Sequence, residues 1–135
     1  MKSLPKELVQ KFDALSALRH LECDGMTRVV SHLLAKAGVA HEVCTGYVSL
    51  VNVPRWVKDR TITHHWWAEF SNESGTFVID YRARMWLGDH RFVAHGIFKP
   101  EKFPSMAYRE RQRGTLNVPD FLFDVLTSPM GVRSC

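Results

Sequence analysis

Cysteine is scarce in this chain: three residues in 135, at positions 23, 44 and 135, an odd number without paired spacing. That argues against a disulfide framework and suits a reducing compartment, so a cytoplasmic protein is expected. Neither Cys-x-x-Cys nor His-Glu-x-x-His occurs, which removes the common zinc signatures. Among the seven histidines, His64 and His65 are adjacent, and neighbours on a strand point to opposite faces rather than at one ion. No metal and no cofactor is expected. Apolar runs are too short to span a bilayer, and Met1 to Glu7 leads into an amphipathic pattern without a signal-type apolar core, so no membrane association is expected. Repeats, low-complexity tracts and long linkers are missing too, and residues 1–135 read as one domain. The formal net charge of +4 is modest and scattered, apart from Lys99 to Arg113, and no nucleic-acid motif accompanies it. Nucleic acid is not the expected partner; an acidic protein docking on the Lys99 to Arg113 region is the alternative such charge offers.

What is present centres on Cys23. After it, Met26, Val29, Val30, Leu33, Leu34 and Ala37 recur at helical spacing and Gly38 follows as a stop, which predicts an amphipathic helix starting at the cysteine. Unpaired N–H groups and the positive end of the helix dipole favour a thiolate there and suit an oxyanion, while Glu22 and Asp24 on either side oppose the thiolate. Cys44, inside an apolar strand, reads as a small buried thiol without a catalytic part, and Cys135 as a mobile last residue.

Two further residues are placed by counting. Thr63 to Phe70 and Thr76 to Tyr81 have strand composition, and Ser71-Asn72-Glu73-Ser74 with Gly75 is turn chemistry, predicting a hairpin with a four-residue loop. Pairing Phe70 with Gly75 sets His65 directly opposite Asp80, on the same face and close enough for a carboxylate to hold an imidazole. His64 then faces the other side. A nucleophile, base and orienter are thereby available in Cys23, His65 and Asp80.

These blocks resemble the transglutaminase-like branch of the papain-like cysteine protease superfamily. Cys23 at a helix start, followed by Leu33 to Val43 and Thr45-Gly46-Tyr47, is similar to the branch's nucleophile region. His65-Trp66-Trp67-Ala68-Glu69-Phe70 is similar to its His-x-Trp-x-Glu strand, and Phe77-Val78-Ile79-Asp80-Tyr81 to the strand with its acidic residue. The resemblance covers about half the chain. It implies an α+β fold in which N-terminal helices, one carrying the nucleophile at its start, pack on an antiparallel sheet. It also implies an acyl-transfer enzyme with Cys23, His65 and Asp80 as catalytic triad, acting through a thioester on an amide bond or glutamine side chain of a protein or peptide. Protease or amidase, transglutaminase and deamidase chemistry all fit. Relatives often use a side-chain oxyanion donor upstream of the cysteine, where this chain has His20.

Elsewhere, Leu4 to Leu21 reads as a first helix with Ser3 and Pro5 as start signals, and Pro119 to Leu126 as a closing helix with Pro129 beyond it. Tyr81 to Gly88 is expected to continue the second hairpin strand, Arg91 to Phe98 to form a short strand, and Lys99 to Gly114 to be a loop or lid. The arginines after Asp80 read as an exposed strand end or as anchors for a polar substrate. Trp56 reads as a packing residue. The contrasting function is a noncatalytic interaction module on the same fold, binding an acidic partner through Lys99 to Arg113.

Overall fold

The structure, a computed structural model, describes residues 4–128; Ser3, Pro129 and Cys135 lie outside them. In chain order the elements are α1 (Lys6–Ser16), α2 (Cys23–Lys36), β1 (Glu42–Leu50), β2 (Thr61–Asn72), β3 (Gly75–Asp80), α3 (Ala83–Leu87), β4 (Gly96–Phe98), β5 (Met106–Gly114) and α4 (Asp120–Thr127), with a 3-10 turn at Pro100–Lys102. The strands form an antiparallel sheet in the order β4-β3-β2-β1-β5, so the fold is α+β. No helix among the described residues is long and apolar enough to cross a membrane.

Alternation along the strands divides the core in two. Ala68, Phe70 and Ile79 face Leu8 and Phe12 of α1 and Met26, Val29 and Leu34 of α2. Cys44, Val48, Trp67 and Val78 face the opposite side, under Ala83, Leu87, Val93 and Ala94. Phe12 is fully buried, which contributes roughly 2–3 kcal/mol.

Helix α2 begins at Cys23, as its apolar spacing predicts, and ends in a Schellman motif. Val39 N–H bonds the Leu34 carbonyl at 2.9 Å and Gly38 N–H the Ala35 carbonyl at 3.0 Å, with Gly38 at φ +74°. Helix α1 is shorter than the Leu4 to Leu21 pattern suggests. Beyond Ser16 the chain tightens into i to i+3 bonds from Ala17, Leu18 and Leu21, and the buried Arg82 guanidinium takes the carbonyls of Leu18 and Leu21. A partner more than sixty positions away thus ends the helix and shapes the segment that delivers Cys23.

The hairpin departs from its expected register. Asn72 pairs with Gly75, Phe70 with Phe77 and Ala68 with Ile79, leaving only Glu73 and Ser74 in the loop. Asn72 Oδ1 accepts from Ser74 N–H at 2.8 Å and from its hydroxyl at 2.7 Å, which closes the tighter turn. The Phe70 and Phe77 rings stack at 5.1 Å, and Ser71 and Thr76 hydroxyls bond at 2.9 Å, both favouring this pairing.

Three later segments also differ. After Asp80 the chain turns into α3 instead of extending β3, because Asp80 Oδ1 accepts the N–H groups of both Arg82 and Ala83, each at 3.0 Å. The short strand expected over Arg91 to Phe98 is confined to Gly96–Phe98. The stretch expected as a loop or lid contains β5, an edge strand paired with β1 and exposed from Arg109 onward. Trp56 is 58% exposed, resting its ring against His90 and Phe92.

Candidate active site

His65 lies midway along β2, opposite Gly46 of β1, with its side chain fully buried. Its ring lies nearly parallel to that of Trp67, centroids 6.2 Å apart. Nε2 is 2.8 Å from Asp80 Oδ2. The observed register moves the two residues from direct opposition to a diagonal. A shift of two positions preserves the face, and the imidazole and carboxylate are long enough to bridge the diagonal.

Asp80 is saturated. Oδ1 holds the two N–H groups at the start of α3, and Oδ2 accepts from His65 and from the Tyr108 hydroxyl, the latter at 2.7 Å. Burial opposes the carboxylate charge, but His65 and these hydrogen bonds prevail and hold Asp80 below its ordinary range. Tyr108, which hydrogen-bonds this charge from the protein interior, is pushed well above the usual phenol range by burial and then by Asp80. It lies on β5, in the stretch expected as a loop, so no local pattern marked it.

Cys23 approaches from the other side of the sheet. Pairing between β2 and β3 runs only as far as Ala68–Ile79, and past that point Tyr81 and Arg82 turn away. Cys23 lines a small cavity of about 10 Å³ there with Trp66, Asp80 and Arg82. Burial disfavours the charged imidazole of His65, yet Asp80, through charge and hydrogen bond, and then the nearby Cys23 raise it from 6.5 to about 9. Nδ1, the ring nitrogen not used by Asp80, is buried and has no partner of normal hydrogen-bond geometry among the described residues. Cys23 thus acts on the charge of His65 without a hydrogen bond of normal geometry between them.

Arg82 was not singled out by the sequence for this position. It is neither an exposed strand end nor a substrate anchor, but buried, with Nη1 on the Tyr81 carbonyl at 3.0 Å and Nε and Nη2 on the segment before Cys23. Burial lowers its pKa, while the charges of Asp80 and Cys23 act in the opposite sense. It sets a positive charge near Cys23 against the acidic neighbours, of which Asp24 is also paired with Arg28 at 3.3 Å. His20, upstream of the cysteine, places Nε2 2.7 Å from the Leu126 carbonyl and joins the segment to α4. In the first turn of α2 the Met26 N–H bonds the Glu22 carbonyl at 2.8 Å, and the N–H groups before it have no intrahelical acceptor.

Cys44 is buried, and burial, followed by Glu69, pushes its thiol up to about 12. Its sulfur and carboxylate oxygens of Glu69 and Glu110 come within 4.8 Å of one another. Arg113 already neutralises both carboxylates and also bonds Glu42, so the group reads as an ion-pair cluster. No family model, curated protein or solved structure matches the chain.

Proposed function

We propose that the protein is a cysteine-nucleophile acyl-transfer enzyme with a transglutaminase-like, papain-like core, acting in the cytoplasm on an amide bond or glutamine side chain of a protein or peptide. The observation that carries this reading is the buried His65–Asp80 hydrogen bond of 2.8 Å, with the imidazole raised to about 9 and coupled to Cys23 at the start of α2. In this reading the Cys23 thiolate attacks the amide carbon and the electron pair moves to oxygen, held by first-turn N–H groups of α2. The protonated His65 gives its proton to the departing nitrogen as the C–N bond breaks, leaving a thioester. Neutral His65 next takes a proton from water or an amine, which attacks the thioester as the C–S bond breaks and returns the Cys23 thiolate beside protonated His65. Water gives hydrolysis or deamidation; an amine gives transamidation. Asp80 holds the imidazole by Nε2 throughout, leaving Nδ1 for the sulfur.

The test is covalent labelling with an amide-derived electrophile, with the adduct located by mass spectrometry. Cys23 should carry the adduct, Cys23→Ala, His65→Ala and Asp80→Ala should abolish it, and Cys44→Ala should not. Labelling of Cys44 with Cys23 untouched would refute the assignment. The competing reading, a noncatalytic module that binds an acidic partner, draws on the exposed Arg109 and Arg111 of β5. It predicts labelling indifferent to His65 and Asp80.

A further inference from the structure

Two adjoining hollows lie on the helix side of the sheet, about 490 and 570 Å³ in volume. Both are lined by Thr45, Trp66, Arg111 and Gln112; one extends to His65 and the other to Leu116. Together they form a trough along β1, β2 and β5 that ends at Thr63, the exposed His64 and the fully buried His65, while Cys23 lies in the separate small cavity beyond Trp66. From Gly46 at the His65 end to Val43 at the other is three strand residues, or about 10 Å, the length of three extended residues of a bound chain.

The lining contains no aspartate or glutamate. Of its two arginines, Arg113 is occupied by Glu42, Glu69 and Glu110. Arg111 differs. Its guanidinium lies over the Tyr47 ring at 4.4 Å, and Nη2 donates to the Tyr47 hydroxyl at 2.7 Å, but it has no carboxylate partner among the described residues. A guanidinium held in place by a ring and a hydroxyl has less side-chain freedom to lose when it binds an anion, and it suits a carboxylate fork. Trp66, in the floor, carries Arg28 over its ring at 4.8 Å, but Arg28 is paired with Asp24 at 3.3 Å, which leaves Arg111 as the trough's cation without a carboxylate partner among the described residues. Thr45, Thr63 and Gln112 supply neutral hydrogen-bonding groups for a peptide backbone.

From this geometry we infer that the substrate lies in the trough as an extended polypeptide segment bearing an acidic side chain, whose carboxylate is bound by Arg111 while the reacting amide reaches Cys23 past Trp66, which lines both the trough and the small cavity at Cys23. The inference rests on the acyl-transfer reading and names the substrate class for it. Arg111 is a specificity-determining residue here, with no part in the chemical steps.

The test uses a matched set of five-residue peptides bearing one cysteine-reactive warhead, with Glu, Gln or Lys at a position two or three residues from it. The readout is the second-order rate of Cys23 labelling, expressed as the ratio of the Glu to the Lys peptide so that general effects on reactivity cancel. The wild-type protein should favour Glu by roughly tenfold or more, the range of one charge-assisted hydrogen bond. Arg111→Gln should bring the ratio close to one and Arg111→Glu should invert it, with thermal melts reporting whether each variant is folded. A ratio near one in the wild type, or one unchanged in folded Arg111→Glu, overturns the inference. Iodoacetamide labelling of the wild type and His65→Gln, run in parallel, separates this failure from that of the underlying reading. If Cys23 alkylation depends on His65 while the peptide ratio is flat, only the substrate inference falls; if it does not depend on His65, both fall.

Discussion

The imidazole of His65 and the carboxylate of Asp80 are joined at 2.8 Å, with the histidine fully buried and the aspartate nearly so. Each favours the charged form of the other, which sets the pH range in which the pair is charged. His65 should keep its proton up to about 9, so acylation should fail on an alkaline limb near that value. In Asp80→Asn, burial is left opposing the charge, and the limb should move towards neutral or below. Probe labelling against pH, with NMR titration of the His65 ring, checks both expectations.

The same pair ties stability to pH. His65 has a folded value above its ordinary 6.5, so its contribution is complete below that value and is lost as pH rises through about 9. Asp80 is lowered and acts in the opposite sense: its contribution is complete above its ordinary 3.8 and is lost as pH falls through the depressed folded value. The His65 shift corresponds to on the order of 3 kcal/mol. Denaturant melts should therefore lose stability between pH 6.5 and about 9, and His65→Gln should flatten that slope.

Tyr108→Phe removes one of the bonds to Asp80 and nothing of the ring packing against Trp67 and Phe98. The expected loss is about 1 kcal/mol in stability and a several-fold drop in labelling rate. Asp80→Asn should be far more harmful to the rate. Equilibrium melts and labelling kinetics on the two variants test the order.

Arg82→Met keeps much of the side-chain volume but strips the Leu21 carbonyl of its donor, at about 1–3 kcal/mol, and leaves the Leu18 carbonyl only the Leu21 N–H. Labelling of Cys23 should fall with stability, because the segment that places the cysteine is released. Arg82→Lys should rescue little, since one ammonium lacks the planar fork that reaches three carbonyls. Hydrogen exchange over residues 17–23 would report the release directly.

Gly46 stands opposite His65 where β5 crosses close by. A Cβ there would meet the Arg109 carbonyl oxygen at 2.1 Å and the Arg111 nitrogen at 2.9 Å. Both are backbone atoms, so relief requires moving β5, which carries Tyr108 and Arg111. Gly46→Ala should cost about 3 kcal/mol or more and should impair labelling even in molecules that remain folded. Thermal melts and labelling of the folded fraction check this.

The His65–Asp80 link was legible in the sequence because side chains on a strand alternate with period two. An error of two positions in register leaves the same residues on the same face. The register itself was not legible: it depends on the Asn72 to Ser74 bonds and on the stacking of Phe70 with Phe77, which favour a tighter turn than composition suggests. Strand β5 was hidden because its exposed edge position lets Arg109 to Gly114 carry charge without apolar alternation. The Leu4 to Leu21 pattern overstates α1 because the end of the helix is set by Arg82, a partner distant in sequence. The start of α2 at Cys23 was readable because apolar spacing and Gly38 bound it locally.

The claim on which the account depends is that Cys23 and His65 act as a unit. The most direct measurement is the rate of Cys23 alkylation by iodoacetamide in the wild type and in His65→Gln, with the modified residue identified by mass spectrometry. The account predicts selective alkylation of Cys23, at a rate that falls by about tenfold or more when the imidazole is removed. Equal rates in the two proteins, or alkylation that spares Cys23, would contradict it.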